Sequence, residues 1–525
     1  MVQKVFFMCI LALNTCIPAI AQNSNTPLLK ITIDANNKAQ IIENIGASGC
    51  WYSENIGKYW PSEKKERIAE LLFSKQLDTD GKPKGIGLSA WRFNIGGGSA
   101  EHGIEGGIKE PEHRVECFLS ADGKYDWNKQ SGYQWFVKKA KEYGVEELIA
   151  FVNTPPVQFT KNGFGFKSEK DFKTNLKEDK YIQYTNFLTE VLKHFDKEGL
   201  HFNYVSPVNE PQWDWTGKPG EAKQEGSPYT NEEIFKVIKA LDNSLTTKKL
   251  NTKILSTEAG MLTFLYGNKT SSSRQIQHFF SDTSTLNIGH FKSVPRIIAG
   301  HSYFTDLGDQ GLINTRKSLS DTAKKYKVSF WQSEYSMLGD GYKEGSKEKR
   351  TQMDCAMFLA KVIHTDLTVT NATAWQLWNS YEPGSTEFDT RYYLIALKPD
   401  SSFKNGSYSI TKNLWAMGHF SLFIRPGMHR LNIDRSDKMS DLEAAQKTMV
   451  SAYKNDKDKL VMVLINYSKE PQKIQLNVKN FKELNQVKAY VTSADPEENM
   501  KPQSIKNIGS EIKLPPRSIT TIVAD

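Results

Sequence analysis

From about residue 45 the chain switches between short runs rich in β-branched and aromatic residues and longer amphipathic stretches, a pattern that predicts alternating strands and helices. Eight strand candidates stand out: Ile45 to Gly49, Ser89 to Ile95, Glu147 to Asn153, Tyr204 to Asn209, Ile254 to Glu258, Ile297 to Tyr303, Val328 to Ser333 and Thr373 to Trp378. That is the number a closed parallel barrel requires. Between the third and fourth, Tyr184, Phe187, Leu188, Val191, Leu192 and Phe195 recur at helical spacing and predict a helix whose apolar stripe packs on the barrel wall. Upstream, Leu28 to Asn44 alternates apolar and polar positions about Asn36-Asn37, which predicts a β-hairpin. After roughly Trp415 the texture changes to short alternating runs, Leu460 to Ile465, Lys473 to Val478, Val487 to Val491 and Ser518 to Val523, separated by charged turns. These predict an antiparallel β-sandwich. The fold class expected is therefore α/β, a (β/α)8 barrel with an appended β-sandwich.

At 525 residues there is room for both parts, and 38% hydrophobic against 24% charged residues is ordinary soluble composition. The formal charge of +8 is spread over 68 basic and 60 acidic residues without a basic stripe interleaved by aromatics, so no nucleic-acid partner is expected. Met1 to Lys4, the apolar run Val5 to Leu13 and Ala19-Ile-Ala21 have the three parts of a secretory signal, residues 1–21, with cleavage before Gln22. The run is too short to span a bilayer. Leu13-Asn-Thr-Cys16 has Thr before Cys, a poor lipoprotein box, so export to the periplasm or medium without a lipid anchor is expected. The mature chain keeps Cys50, Cys117 and Cys355, enough for one disulfide at most, and each reads as an inert buried thiol.

The chemistry starts at Tyr204-Val-Ser-Pro-Val-Asn-Glu-Pro-Gln-Trp213. Pro207 and Pro211 each remove a backbone donor and fix φ, so the strand must end at Asn209-Glu210. A carboxyl that protonates a leaving group needs apolar neighbours to raise its pKa, here Tyr204, Trp213 and Trp215, and an amide such as Asn209 to hold substrate. A second strand ends the same way: Val328-Ser-Phe-Trp-Gln-Ser-Glu334 runs into the Gly-rich loop Leu338-Gly-Asp-Gly341. Two acids on two strand ends are the specific signal; for Glu210 alone the alternative to a catalytic role is a helix cap or a surface-turn acid.

Asn209-Glu210-Pro211 and Glu334 resemble the acid/base and nucleophile of the clan of retaining glycosidases built on (β/α)8 barrels. Within that clan the chain is similar to glycoside hydrolase family 30, through Asn44-Ile-Gly-Ala-Ser48, Trp91-Arg-Phe-Asn-Ile-Gly-Gly-Gly98, Asn153-Thr-Pro-Pro156 and Leu514-Pro-Pro-Arg-Ser-Ile-Thr-Thr-Ile-Val523. The resemblance implies that residues 28–44 join residues 415–525 in the sandwich, around a catalytic barrel of residues 45–414. It also implies cleavage of β-linked oligo- or polysaccharide with no cofactor, and with the leader-like N-terminus the expectation is a secreted enzyme, taken as a monomer. The Arg92 and Asn153 motifs look closest to members that cut β-1,6-linked galactan internally; β-1,6-glucan, glucosylceramide and xylan remain the rivals. A non-catalytic glycan-binding protein on the same fold is the reading from another class.

Other candidates follow the rule that barrel enzymes place chemistry at the C-terminal ends of strands. Arg92, pointing into the mouth, would hold Glu334 ionised. Asn209 would donate to the substrate hydroxyl beside the reacting carbon. Tyr303 resembles the clan tyrosine that hydrogen-bonds the nucleophile, whereas His301 is either a site residue or a satisfied core histidine. Trp375 and Trp378 sit three apart on one strand, so alternation lets only one of them floor a sugar site. Glu258, a third strand-end acid, lacks the Asn and Pro that flank Glu210. Gly96-Gly-Gly98 lacks the Lys and Ser/Thr of a phosphate loop and would instead bring backbone close to substrate. No His/Glu group has metal-ligand spacing, so no catalytic metal is implied.

Overall fold

The structure, a computed structural model, describes residues 27–525 except 458, 483 and 485. The expected secretory signal lies outside the described residues. The first strand is β1 (Leu28–Ile41), and the barrel strands follow: β2 (Asn44–Ser48), β3 (Ala90–Asn94), β4 (Glu147–Phe151), β5 (Tyr204–Ser206), β6 (Lys253–Ile254), β7 (Ser256–Ala259), β8 (Ile297–His301), β9 (Ser329–Glu334) and β10 (Ala374–Leu377). They form one parallel sheet in the order β6-β5-β4-β3-β2-β10-β9-β8-β7. Its two ends, β6 and β7, are halves of a single stretch, and the Leu255 N–H between them donates to Val205 O at 2.9 Å. The sheet is thus a nearly closed barrel, and each of the expected strands takes part in it.

Small residues let this barrel fill its own interior. Ala90, Ala299 and Ala374 leave room for Trp331, whose ring meets Tyr204 edge-on at 4.6 Å, and Ile149, Leu255 and Ile297 complete the plug. Outside, the helix Tyr181–Lys197 buries Tyr184, Phe187, Leu188, Val191, Leu192 and Phe195 against the wall, as its spacing predicts. Tyr184 also reaches inward, donating its hydroxyl to Pro207 O at 2.6 Å. That bond ties the helix to the segment that ends in Glu210.

Beyond the barrel come β11 (Tyr381–Pro383), β12 (Ile395–Pro399) and β13 (Gly406–Ile410), a small sheet over the last barrel strand. The remaining strands are β14 (His429–Arg435), β15 (Thr448–Lys454), β16 (Leu460–Asn466), β17 (Gln472–Lys479), β18 (Val487–Thr492), β19 (Lys501–Ser504), β20 (Glu511–Leu514) and β21 (Ser518–Ala524). With β1 they form a separate sheet in the order β19-β18-β21-β16-β15-β14-β1-β17-β20. Ala489 of β18 and Leu514 of β20, near opposite edges, share one apolar cluster with Ile31 and Ile33. The sheet therefore curls over and packs on itself, as a sandwich does. Its outer face meets the barrel helices, where buried His419 lies 2.8 Å from both Thr521 Oγ1 and Thr492 Oγ1.

One expectation needs correcting. Residues 28–41 are a single strand, not a hairpin about Asn36-Asn37. Asp34 Oδ1 accepts the Asn36 N–H at 2.8 Å, and the pairing register slips between Ile33/Ile433 and Lys38/Leu431. The Asn pair makes a bulge, not a reversal. Both edges of β1 are already taken, by β14 antiparallel and β17 parallel, so no second N-terminal strand is called for. Cys50, Cys117 and Cys355 are buried and unbridged, and burial pushes the Cys50 thiol up to about 12, which leaves it inert. Among the described residues no helix is long and apolar enough to cross a membrane.

Candidate active site

The C-terminal ends of five barrel strands converge on a buried set of charges. Arg92 comes from β3, Glu258 from β7, His301 from β8 and Glu334 from β9, while Glu210 stands four residues past β5. Glu210 and Glu258 both adopt left-handed backbone, φ +42° and +52°, which side-chain-bearing residues rarely occupy. The two are locked together, since the Glu210 N–H donates to Glu258 O at 2.8 Å. The Glu210 carbonyl in turn accepts from the Trp215 indole at 3.0 Å. The paired prolines thus do more than stop a strand, because the segment they shape is pinned from several sides.

Glu334 accepts from Arg92 Nη1 at 2.7 Å on one oxygen and from the Tyr303 hydroxyl at 3.0 Å on the other. His301 stands behind both acids. Its Nδ1 lies 2.9 Å from Glu210 Oε1 and 3.5 Å from Glu334 Oε1, and its Nε2 lies 3.2 Å from Glu258 Oε2. Glu258 also accepts from Ser206 Oγ at 2.5 Å and from Ser333 Oγ, with Arg92 Nη2 3.7 Å away. The guanidinium of Arg92 is itself backed by the Phe151 ring at 4.3 Å.

These contacts set opposite protonation preferences. Burial opposes charge on Glu258, but Arg92 and His301 outweigh it and hold the carboxyl down at about 2. Burial likewise opposes charge on His301, but Glu334, Glu210 and Glu258 lift it to about 10. Glu210 goes the other way: burial raises its carboxyl above the usual range, and the contacts of His301 offset only part of that. With Arg92 and His301 cationic and Glu258 and Glu334 anionic, the buried set is neutral when Glu210 carries a proton.

A cleft of about 730 Å³ opens over Glu210 and Glu334 and is lined by Asn209, Trp213, Trp215, Tyr303 and Trp378 among others. Asn209 lies inside it, donating Nδ2 to Asn153 Oδ1 at 3.1 Å with its own Oδ1 unpartnered. Asn153 therefore stands behind Asn209 and does not line the cleft. His301, expected at the substrate, is fully buried beneath the two acids. Of the two tryptophans left open, Trp375 faces the helix layer and donates its indole N–H to Asp366 at 2.9 Å, whereas Trp378, on the other face, lines the cleft. Gly96-Gly-Gly98, expected to bring backbone close to substrate, is not part of the cleft lining. Gly97 and Ser99 donate their N–H groups to the buried Glu225 carboxylate at 3.0 and 3.1 Å, and a Cβ on Gly97 would meet Thr154 at 2.3 Å.

Among the lining residues that escaped the sequence reading are Trp51, His113, Phe304, Glu382 and Tyr392. Trp51 stacks on His113 at 3.9 Å and meets Trp378 edge-on at 5.2 Å. The positions of Trp51 and Phe304 just past strand ends were the available signal; His113 and Tyr392 sit in irregular connections, and Glu382 lies on a three-residue strand too short to show a period. Among the described residues, the group of His, Cys, Asp and Glu with ligand atoms close enough for a metal is Glu210, His301 and Glu334 itself, all within 4.8 Å of one another. Those atoms already face Arg92, Tyr303 and a cationic imidazole, poor company for a metal ion.

The family model described as O-Glycosyl hydrolase family 30 matches residues 28–389. A solved structure of a conserved exported protein from Bacteroides fragilis is 35% identical, superposes with a TM-score of 0.86, and the match covers 94% of this chain and 99% of that one. The catalytic domain of the family 30 xylanase C from Talaromyces cellulolyticus shares the fold at 20% identity, TM-score 0.67, over 94% of this chain and all of that one (100%). An exo-beta-1,6-galactobiohydrolase from Bifidobacterium longum subsp. longum is 25% identical over 184 residues, 28% of this chain. The match spans only 12% of that curated relative's length.

Proposed function

Since the chain belongs to glycoside hydrolase family 30, we propose that it is a retaining glycosidase with Glu334 as nucleophile and Glu210 as general acid, then base. The observation that carries this reading is the spacing: ligand oxygens of the two acids lie within 4.8 Å of each other at the floor of one cleft. Retaining enzymes need carboxyls about 5 to 5.5 Å apart, and inverting ones a gap of roughly 6.5 to 9.5 Å that admits a water. In the first step a Glu334 oxygen bonds to the anomeric carbon as the glycosidic C–O bond breaks, and Glu210 gives its proton to the departing oxygen. In the second, Glu210 takes a proton from water, the water oxygen bonds to the same carbon, and Glu334 leaves as carboxylate. A glycan-binding protein would have no use for a protonated acid and an arginine-held carboxylate so close together.

For the substrate we propose β-1,6-galactan, cut internally. The Arg92 and Asn153 motifs, and the partial likeness to a protein named an exo-beta-1,6-galactobiohydrolase, support the linkage and the sugar. Exposed Phe304 and Leu338 at the cleft mouth, 47% and 40% accessible, support a chain that runs past the cleavage point. Export is proposed as well, in line with the leader-like first 21 residues and the exported Bacteroides fragilis relative. The test is product profiling on linear β-1,6-galactan, β-1,6-glucan and glucuronoxylan side by side. A ladder of galacto-oligosaccharides, formed faster than products from either rival, is expected. Faster turnover of a rival, or galactobiose alone from the start, would overturn the substrate or the internal cleavage respectively.

A further inference from the structure

Glu382 is the third acid of the cleft, and nothing in the two-step reaction employs it. It sits on β11, whose parallel pairing with β12 holds the residue at a fixed height above the last barrel strand. One of its oxygens, Oε1, accepts from Asn379 Nδ2 at 2.5 Å. Among the described residues no donor reaches Oε2 and no cation lies within ion-pair distance of either oxygen, although the residue is more buried than exposed. Burial without a cation pushes its carboxyl up to about 7. A structural acid in that setting would be paired or replaced, because an unpaired half-buried carboxylate costs stability.

The surroundings say what the open oxygen is for. Trp378 and Trp51 meet edge-on at 5.2 Å, and both line the same cleft as Glu382 and Tyr392. A ring face beside a carboxylate is the pairing that holds a pyranose, since the apolar face stacks while hydroxyls donate to the acid. Charge narrows the choice further. The acids facing the cleft are Glu210, Glu334 and Glu382; Lys223 is the lysine, and burial pushes His113 down toward the neutral form. A sugar bearing its own carboxylate would meet repulsion on the Glu382 side.

We propose that Glu382 is a specificity-determining residue that accepts hydrogen bonds from hydroxyls of a neutral hexose stacked beside Trp378, and so selects neutral sugars over uronates. The inference rests on the proposed glycosidase function and adds the recognition of the sugar to it. It is tested by an enzyme-by-substrate cycle. Wild type, Glu382→Ala and Glu382→Gln are assayed on β-1,6-galacto-oligosaccharides that each lack one hydroxyl. On the intact oligosaccharide, Glu382→Ala should lose roughly 10- to 100-fold in kcat/KM, chiefly through KM. Glu382→Gln, which keeps the Asn379 contact and one acceptor, should lose less. On the analogue missing the contacted hydroxyl, wild type and variants should be equally slow. With galacturonate and galactose as competing inhibitors, Glu382→Gln should shift the preference toward the uronate.

A loss of the same size on every deoxy analogue would mean a structural role and overturn the proposal, as would no loss at all. Thermal melts separate misfolding from lost recognition, and the Gln variant keeps the test alive where Ala fails to fold. Wild type inactive on galactosides but active on β-1,6-glucosides would sink the galactan reading alone. The same cycle on deoxy-glucosides then decides Glu382. A wild type that cleaves no glycoside overturns both.

Discussion

Two buried arginine-carboxylate networks lie close together in this barrel, and only one faces a cleft. In the wall, Arg316 Nε donates to Asp366 Oδ1 at 2.7 Å, and the other Asp366 oxygen takes the Trp375 indole at 2.9 Å and Ser302 Oγ at 3.2 Å. Both partners of that ion pair are fully buried, and a second buried acid, Asp306, held by the Tyr335 hydroxyl at 2.6 Å, feels both charges. At the mouth, Arg92 and His301 face three acids, Glu210, Glu258 and Glu334. A third acid for two cations leaves one proton to be placed, and burial assigns it to Glu210. Burial, charge and a surplus acid are therefore not by themselves what marks an active site; the cavity beside them is.

The sharpest way to break that contrast is to remove the acids themselves. Glu334→Gly should lose on the order of 10⁴-fold or more in kcat. Azide should restore cleavage of an activated glycoside with an α-linked azide product, whereas Glu210→Ala with azide should give the β-linked one, as each anion replaces the carboxylate on its own face. Swapped anomers would reverse the roles.

Next come the arginines. Arg92→Met and Arg316→Met each strand a buried carboxylate and should each destabilise by about 3–5 kcal/mol in urea unfolding. Only Arg92→Met should lower kcat when rates are normalised to folded enzyme. Equal kinetic losses would erase the distinction drawn between the networks.

The role of Glu258 is subtler. Activity should fall on the alkaline side as Glu210 ionises. Glu258→Gln removes a charge that keeps His301 cationic, so His301 loses its proton at lower pH and stops favouring ionised Glu210. The alkaline limb should move to higher pH while kcat falls. An unmoved limb would reduce Glu258 to scaffolding.

The smallest effect separates the two tryptophans. Trp378→Ala should raise KM roughly tenfold with little change in melting. Trp375→Ala should instead cost about 3–5 kcal/mol of stability and leave KM alone.

The strand ends were legible because barrel strands are short apolar runs, and the prolines around Glu210 announce where one stops. Glu210, Glu334, Arg92 and Tyr303 all came from that punctuation. What the sequence hid has physical causes. Alternation says that Trp375 and Trp378 point apart but not which points inward, since that depends on register against β2 and β9. The Asn36-Asn37 pair has the composition of a turn, yet long-range pairing with β14 and β17 overrides it. Glu258 could be located on its strand but not understood, because its partners Ser206, His301 and Ser333 come from three other strands. Glu382 lies where no local period points to it.

The central claim, a nucleophile and an acid close enough for double displacement, predicts the stereochemistry of the first product. Proton NMR of wild-type enzyme cleaving a β-linked oligosaccharide, recorded faster than mutarotation, should show the β-anomer of the new reducing end appearing first and the α-anomer only later. The α-anomer appearing first would mean single displacement by water and contradict the account.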